Sequence, residues 1–517
     1  MMAAKETYQG EGVLLGDLLQ GIVDVDVSKL EEVSVLGLSL DSRRLGPGDL
    51  FLACGGTVTQ GHSYIKDAIK YGASAVLFEA SPGAHDVPAV ANVPVLAVEN
   101  LSDKVGLLAE RFYGGPSKEL TIVGVTGTNG KTSCSHIVAH ALSKAMATPA
   151  GVMGTLGYGL CGSLSRASHT TPDAITMHRL LRDMEKQGAK DVVMEVSSHG
   201  LTQGRIVGVD VDIAVFTNIS RDHLDYHKTM QAYVAAKKSL FALSSLKCAV
   251  VNLDDEYACE FIDAVPALRK IIGYTLKTEQ PVECDKPARV EHVVSGAIVN
   301  SSMLGCEVSV KCDWGEAHFI TSLLGEFNVS NLLAALAVLL WRGIGFEEAL
   351  ARLSTVRPLS GRMEVVARQD ALPIVVIDYA HTPDALEKVL NAIKKFSNKR
   401  LWCVFGCGGD RDQGKRSLMG SIAERCADSV IVTDDNPRFE APKAIVNDIL
   451  SGMQHPSRAQ VIHSREQAIQ YALRHAEADD VVLIAGKGHE DYQEVNGQRD
   501  FFSDHAVVLA YSAPESS

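Results

Sequence analysis

Short, almost continuously apolar and β-branched runs recur along this chain, with helical stretches between them, and no other feature restricts its fold as much. The clearest runs are Leu120–Val125, Asp191–Val196, Val211–Phe216, Ala249–Leu253, Ile374–Ile377, Leu401–Phe405, Ser429–Val432 and Val481–Ile484. Strands that are apolar on both sides have to be covered on both sides. Alternating helices provide that cover, which is the pattern of parallel α/β sheets. Ligands of such sheets sit beyond the carboxyl ends of the strands. Here those ends run into TGTNGKT, SSHG, TNISRDH, NLDD, DYAHTPD, GCGGDRD, TDDNPR and GKGHE, all polar or glycine-rich. The expectation is an α/β protein whose site is built from loops at the ends of its strands.

A length of 517 residues corresponds to about three domains at roughly 150 residues each. Glycine- and proline-punctuated stretches at Tyr113–Lys118 and Val356–Arg362 mark boundaries, giving domains 1–115, 116–356 and 357–517. Weaker alternation from Pro281 to Leu323 suggests a small antiparallel appendage. The apolar run Leu332–Trp341 falls short of the ~20 residues a membrane span needs and reads as a buried helix. A net charge of −14 argues against nucleic-acid and anionic-membrane partners, so any anionic ligand needs a local cluster of donors. The N-terminal MMAAKETYQGEG lacks the apolar core of a signal peptide. Eleven scattered cysteines without a CxxC pair read as structural thiols of a reduced, cytoplasmic protein.

Gly127-Thr128-Asn129-Gly130-Lys131-Thr132-Ser133 follows one strand and opens a helix. Glycines let backbone N–H groups face a phosphate, and the helix N-terminus adds positive potential. Lys131 would reach the β/γ-phosphates of ATP, and the Thr132 hydroxyl would meet Mg²⁺. The loop departs from GxxxxGK[ST] in having Val125 at the first glycine. Glu195 ends one strand and His223 lies just beyond another, a carboxylate and an imidazole suited to a second Mg²⁺ shared with phosphate. His223 and His227 also form an HxxxH, but without a following glutamate and a third ligand it does not read as zinc-binding. His199 reads as an ordinary turn histidine.

TGTNGKTS, MEVSSHGL, FTNISRDHLDYH, LLGEFNVSN and DYAHTPDAL, in this order, resemble the Mur ligases, ATP-dependent amide ligases of peptidoglycan precursor synthesis. LDSRRLGPGDLFLACGG, GCGGDRDQGKR, DDNPR and GKGHEDYQ narrow the resemblance to the branch that adds the third peptide residue, and it runs from about Leu40 to Asp504. It implies an N-terminal UDP-binding α/β domain, a central P-loop ATPase domain with a parallel sheet, and a C-terminal Rossmann-like domain. It also implies Mg²⁺ as cofactor, with ATP, UDP-MurNAc-L-Ala-D-Glu and meso-diaminopimelate as substrates. A monomer is expected.

Residue by residue, the resemblance assigns UDP-substrate contacts to Leu40, Ser42, Thr57, Val58, Thr59, His169, Thr170, Thr171, Ser197, Gln203 and Arg205. His169 stands where an asparagine is common, and Thr57-Val58-Thr59 departs from the familiar triplet; backbone contacts are what carries over there. Nucleotide contacts fall to Gly127–Ser133, Asn328, Arg362 and Asp378. The amino-acid site falls to Arg411, Asp435, Asn436, Pro437, Arg438, Gly486 and Glu490. Lys131, Glu195, His223 and Lys237 are the implied catalytic group. Lys237, fourteen residues after His223, matches the family's carbamylated lysine (N6-carboxylysine), so the implied metal ligands are Thr132, Glu195, His223 and the Lys237 carbamate. A bare ammonium beside two Mg²⁺ ions would repel them, whereas a carbamate binds them. As an ordinary residue Lys237 would be an exposed helix lysine beside Lys238.

The acceptor carboxylate is a poor electrophile, so ATP would convert it to an acyl phosphate that an amine then attacks. Three readings compete: an L-lysine-adding version, a folylpolyglutamate-synthase-like ligase, and a non-catalytic ATP-binding module. The second leaves LDSRRLGPGDLF and DDNPR unexplained, and the intact Glu195, His223 and Lys237 argue against the third.

Overall fold

The structure, a computed structural model, describes residues 12–26, 30, 32–55, 61–80, 93–143, 148–277, 289–367 and 372–512. The chain falls into two compact units, Met1–Val123 with Ala145–Asp212, and Gly124–Lys144 with Ile213–Ser517.

In the first unit, strands Gly37–Ser39, Asp49–Ala53, Ala75–Glu79 and Val95–Val98 form a parallel sheet in that order. One face packs with the helix Leu101–Phe112 around Leu50, Leu52, Leu77, Val105 and Leu108. Strand Asp191–Glu195 pairs in parallel with Gly151–Gly154, whose chain continues as the antiparallel strands Gly157–Leu160 and Ser163–Ser165. Helix Ala174–Lys186 begins where the Asp173 carboxylate accepts from Thr176 N–H at 3.0 Å, which satisfies one of the four N–H groups a helix start leaves open.

Strand Thr121–Thr126 passes from the first unit into the second. Within the second unit Ile213–Phe216, Cys248–Asn252 and Lys270–Thr275 run parallel. The expected antiparallel appendage is real in strand type but is no separate piece. Strand His292–Ser302 adds to Lys270–Thr275 in parallel, and Gly305–Cys312 and Gly315–Thr321 then follow antiparallel. A paired edge needs no separate core, so the alternation marks the end of a larger sheet.

Helix Glu326–Trp341 is buried on every side from Val329 to Leu340 except at Ser330, and it packs on helix Lys131–Leu142. A helix apolar all round belongs in a core. The remaining sheet runs Glu364–Ala367, Ile374–Asp378, Val481–Ala485, Leu401–Phe405, Ser429–Val432 and Gln460–Val461, with only the first strand antiparallel. Val376 and Leu483 face helices Pro383–Phe396, Gly414–Cys426 and Pro442–Leu450, while Val375 and Ile484 face Arg465–His475. Both faces are therefore apolar, as the continuous runs required. Among the described residues nine cysteines are free thiols, but Cys259 is disulfide-bonded and departs from the expectation of structural thiols throughout. No described helix is long and apolar enough to cross a membrane.

Leu336 sits at 1% exposure in the middle of the buried helix. Leu336→Ala is expected to lower unfolding free energy by about 2–5 kcal/mol, from lost burial plus the cavity left behind. Urea denaturation checks this; a loss below about 0.5 kcal/mol would mean that the helix is not core.

Candidate active site

The glycine loop is folded by its neighbours before any ligand arrives. Thr128 N–H donates to Asn218 O at 2.7 Å, Asn129 N–H to Asn218 Oδ1 at 3.0 Å, and Thr217 Oγ1 to Asn129 O at 2.7 Å. Gly127 has φ 150°, and a Cβ there would stand 1.9 Å from Thr217 Oγ1, so only glycine fits. Gly130, with φ 84°, leads into helix Lys131–Leu142. Lys131 Nζ donates to the carbonyls of Gly127 and Thr128, both at 2.9 Å. The buried Thr132 hydroxyl accepts from Arg362 at 3.1 Å, and Asn129 Nδ2 donates to Asp384 at 3.0 Å. Arg362, 230 positions away in sequence, is thus brought to the loop.

Lys237 closes helix Met230–Lys238 and is 1% exposed. Its Nζ donates to Gly127 O at 2.7 Å and lies 4.7 Å from the Tyr233 ring centroid. Burial, and then the Lys131 ammonium, push its amine well below the ordinary lysine range. Lys238, one position on, turns outward to Glu260 at 3.0 Å. His223 takes a left-handed φ of 54°, with its ring 3.4 Å from Asp222 Oδ2. Asp222 is the residue the sequence reading passed over. Burial alone would raise its carboxyl, yet His381, His223 and Lys415 hold it well below the usual carboxylate range. An aspartate beside a histidine in TNISRDH was the available signal. Among the described residues no group of three or more His, Cys, Asp and Glu side chains gathers as a metal cluster.

Arg362 also stacks 4.4 Å from the Tyr379 ring centroid, and its Nε is buried without a hydrogen-bond partner. Asp378 is buried, its two oxygens accepting from Met363 N–H and Ala380 N–H, each at 2.7 Å. Burial raises its carboxyl and Arg362 opposes the rise. Asn328 is buried on the first turn of the core helix and donates to Leu324 O at 2.8 Å. Ser133 follows Thr132 on the loop's helix.

In the first unit His169, Thr170, Thr171, Ser197, Gln203 and Arg205, among the expected UDP-substrate residues, form a second cluster. Thr171 Oγ1 donates to Glu195 O at 2.8 Å and accepts from Ser197 N–H at 3.0 Å. Arg205 reaches Thr171 O at 2.6 Å and holds Gln203 Oε1 with two further donors. Thr170 meets Thr155, which also donates to Glu195. The Tyr158 hydroxyl donates to His169 O and accepts from His169 N–H, so His169 is held through its backbone. Glu195 is 1% exposed, and its Oε1 accepts from Thr155 N–H at 2.7 Å. Thr155 and Tyr158 were missed: the first lies in plain sequence between two strands and the second inside the short strand that follows. His199 belongs to the short helix Ser198–Thr202 rather than a turn. Leu40 is exposed and Ser42 buried just after strand Gly37–Ser39. Thr57, Val58 and Thr59 lie outside the described residues.

The third cluster lies past the carboxyl ends of Leu401–Phe405, Ser429–Val432 and Val481–Ala485. Gly409 N–H donates to Asn436 O at 2.9 Å and Arg438 to Gly409 O at 2.8 Å, so the two loops are stitched together. A Cβ on Gly409 would stand 1.9 Å from Pro437 O. Arg438 has φ 51°, and Arg411 is exposed. Among the described residues neither arginine is in an ion pair. Asn436 Nδ2 donates to Glu490 at 2.9 Å, and Gly486 follows the last strand of the three.

Comparison with known proteins matches this architecture. Residues 34–113 match the description "Mur ligase family, catalytic domain", residues 125–339 "Mur ligase middle domain", and residues 361–488 "Mur ligase, glutamate ligase domain". The chain belongs to the Mur ligase family. It is similar to the UDP-N-acetylmuramoyl-L-alanyl-D-glutamate–2,6-diaminopimelate ligase of Coxiella burnetii, 45% identical over 95% of this chain and 98% of that protein. The protein of the same name from Ectopseudomonas mendocina is 48% identical over 91% of this chain and 94% of its own length. A solved structure of such a ligase aligns over 97% of this chain and 98% of its own, with a TM-score of 0.67 at 38% identity. MurF from Acinetobacter baumannii shares the fold at a TM-score of 0.63, covering 88% of this chain and 91% of its own at 16% identity.

Lys131→Ala is expected to change stability by no more than about 0.5 kcal/mol, because the side chain is a partly exposed charge on the first residue of its helix. It should lower the turnover of ATP-dependent ligation by about 10²–10³, the usual cost of losing a donor to developing phosphoryl charge. Phosphate release together with a melting curve checks both, and near-normal turnover in a folded variant would remove the loop from the mechanism.

Proposed function

We propose that this chain is an ATP-dependent ligase that forms an amide between meso-diaminopimelate and the D-Glu side carboxylate of UDP-MurNAc-L-Ala-D-Glu, in the cytoplasm, as a monomer. One observation carries the amino-acid assignment: Arg411 and Arg438 flank stitched loops at strand carboxyl ends, unpaired with any carboxylate among the described residues, with Glu490 bonded nearby. Diaminopimelate differs from lysine by a carboxylate at its far end. A guanidinium fork suits that group, and Glu490 suits the ammonium beside it. The similarity to diaminopimelate ligases, at 43–48% identity, supports the same reading.

Domains at 1–115, 116–356 and 357–517 would carry the UDP end, ATP and the amino acid respectively. Leu40, Ser42, Thr57–Thr59, His169–Thr171, Ser197, Gln203 and Arg205 would hold the nucleotide-sugar substrate. Gly127–Ser133, Asn328, Arg362 and Asp378 would hold ATP, and Arg411, Asp435–Arg438, Gly486 and Glu490 the amino acid.

Oxygen donors suit Mg²⁺, and the residues that would hold it are mostly of that kind: the Thr132 hydroxyl, the Glu195 carboxylate and a carbamate on Lys237, with His223 as an imidazole donor. Bound there, Mg²⁺ would neutralise phosphate charge. In the reaction the acceptor carboxylate takes the γ-phosphoryl group of ATP and ADP leaves. The diaminopimelate amine then attacks the acyl phosphate, loses its proton and expels inorganic phosphate. Lys131 supports the charge growing on the phosphoryl oxygens, and Arg362, held at Thr132, supplies a second cation. Water would compete with the amine, so the site has to exclude it when the substrates are bound.

Lys237 is proposed to react with CO₂ as a neutral amine, forming a carbamate and releasing a proton. Its complete burial and downward-shifted amine support this, since only the unprotonated form is nucleophilic. Lys237→Ala should lose turnover and regain part of it with added short carboxylic acids. Wild-type turnover, or no recovery with the acids, would overturn the carbamate.

The amino-acid assignment is tested by kcat/KM for meso-diaminopimelate and L-lysine, in wild type and in Arg438→Ala. Leaving a guanidinium without its carboxylate costs ~2–5 kcal/mol, so lysine should be disfavoured by roughly 30-fold or more. The preference should collapse in the variant. Equal use of lysine by the wild type, or an unchanged preference in Arg438→Ala, would sink the assignment.

A further inference from the structure

Lys487 lies between Gly486 and Glu490 in GKGHE and has no part in the site described so far. Its side chain is fully buried. Its ammonium donates to Asn436 Oδ1 at 2.9 Å and to Tyr492 O at 2.8 Å, and reaches Glu490 Oε2 at 3.5 Å. It stands 3.2 Å from Asp435 Oδ1. An ammonium has three protons and no acceptor, so these partners use its whole bonding capacity.

We propose that Lys487, with Gln493 of the hairpin that follows, is a positioning clamp that sets the spacing between Asp435–Arg438 and Glu490. This inference rests on the amino-acid site proposed above. Asn436 shows how the clamp works. Its Oδ1 accepts from both Lys487 and Glu494 N–H, at 2.9 Å each, which leaves its Nδ2 to donate to Glu490 Oε2 at 2.9 Å. The amide can therefore be held in one orientation only. Gln493 Nε2 donates to Asp435 O at 2.7 Å, and the backbone of Arg438 pairs with the hairpin through Arg438 N–H to Glu494 O and Asn496 N–H to Arg438 O, at 3.0 and 2.7 Å. The left-handed Arg438 is thereby anchored on the hairpin, formed by Tyr492–Val495 and Gln498–Phe501.

Charge gives the second reason. Asp435 and Glu490 are two carboxylates in a largely water-free place, and each disfavours ionisation of the other. One ammonium between them offsets that repulsion. Glu490 has to be ionised to receive an ammonium from the substrate. A lysine that served only the fold would sit against groups unrelated to the ligand, whereas the three polar side chains around the Lys487 ammonium, Asp435, Asn436 and Glu490, belong to the proposed amino-acid site, and the Tyr492 ring beside it belongs to the hairpin.

Full-length Lys487→Met and Gln493→Ala test the clamp by steady-state kinetics, with each substrate varied in turn. The amino acid used is the one that the wild type consumes fastest in a panel including meso-diaminopimelate and L-lysine. A wild type that prefers another amino acid overturns the substrate assignment, and the clamp is still judged on the amino acid it does use. The KM for that amino acid should rise roughly 10–100-fold in Lys487→Met and about 5-fold in Gln493→Ala, as expected for unsatisfied buried partners. The KM values for ATP and for the nucleotide-sugar acceptor should stay within about 2-fold. An unchanged amino-acid KM in Lys487→Met, or equal rises for all three substrates, overturns the clamp. If Lys487→Met does not fold, Gln493→Ala decides, and an unchanged amino-acid KM there overturns it.

Discussion

Everything proposed for the phosphate end depends on the hydrogen bonds between Thr128–Asn129 and Thr217–Ser220. The middle of the glycine loop would otherwise carry unpaired backbone groups at high conformational cost. Thr217, Asn218 and Ser220 meet them with side-chain and backbone partners at hydrogen-bond distance. Once the loop is held, the first N–H groups of helix Lys131–Leu142 are fixed in direction. Lys131 and Thr132 then stand at the positive end of an aligned set of dipoles. Lys237 adds to the same frame by donating to Gly127 O from inside the protein.

A second theme is buried charge arranged to be unequal. Lys237 and Asp222 are both buried and both are pushed down the pH scale, which has opposite effects on their charge: the amine is more easily neutral and the carboxylate more firmly ionised. Desolvation and Lys131 leave Lys237 with a weakened hold on its proton. The histidines and Lys415 around Asp222 outweigh its burial and keep it ionised. His136 and His489 are held down to about 4 by burial, and Arg362 adds to the effect, so both are neutral near pH 7. A neutral imidazole can accept a hydrogen bond beside Arg362 without repelling it. Charge in this region is therefore concentrated on a few residues.

Much was legible in the chain itself. The apolar runs mark the strands to within two residues, since strands covered on both faces must be apolar throughout. The loops that follow them were equally visible, because phosphate and carboxylate recognition demand glycine, lysine, arginine and asparagine. Residues whose value comes from a distant partner were not visible. Thr155 supports Glu195 across 40 positions, and nothing in its own neighbourhood marks it out.

Lys237 and Lys238 show the division most clearly. The sequence by itself determined that two lysines close a helix after His223, and that an α/β protein with a phosphate loop would carry them. Only the tertiary structure decided that one step of about 100° around the helix axis sends Lys237 into the interior and Lys238 out to Glu260. Lys487 was likewise visible as a letter in GKGHE, while its burial among Asp435, Asn436 and Glu490 was not. The physical reason is the same in both cases. Periodicity records which faces avoid water, a local property; the charge of a buried amine depends on groups that folding brings from far along the chain.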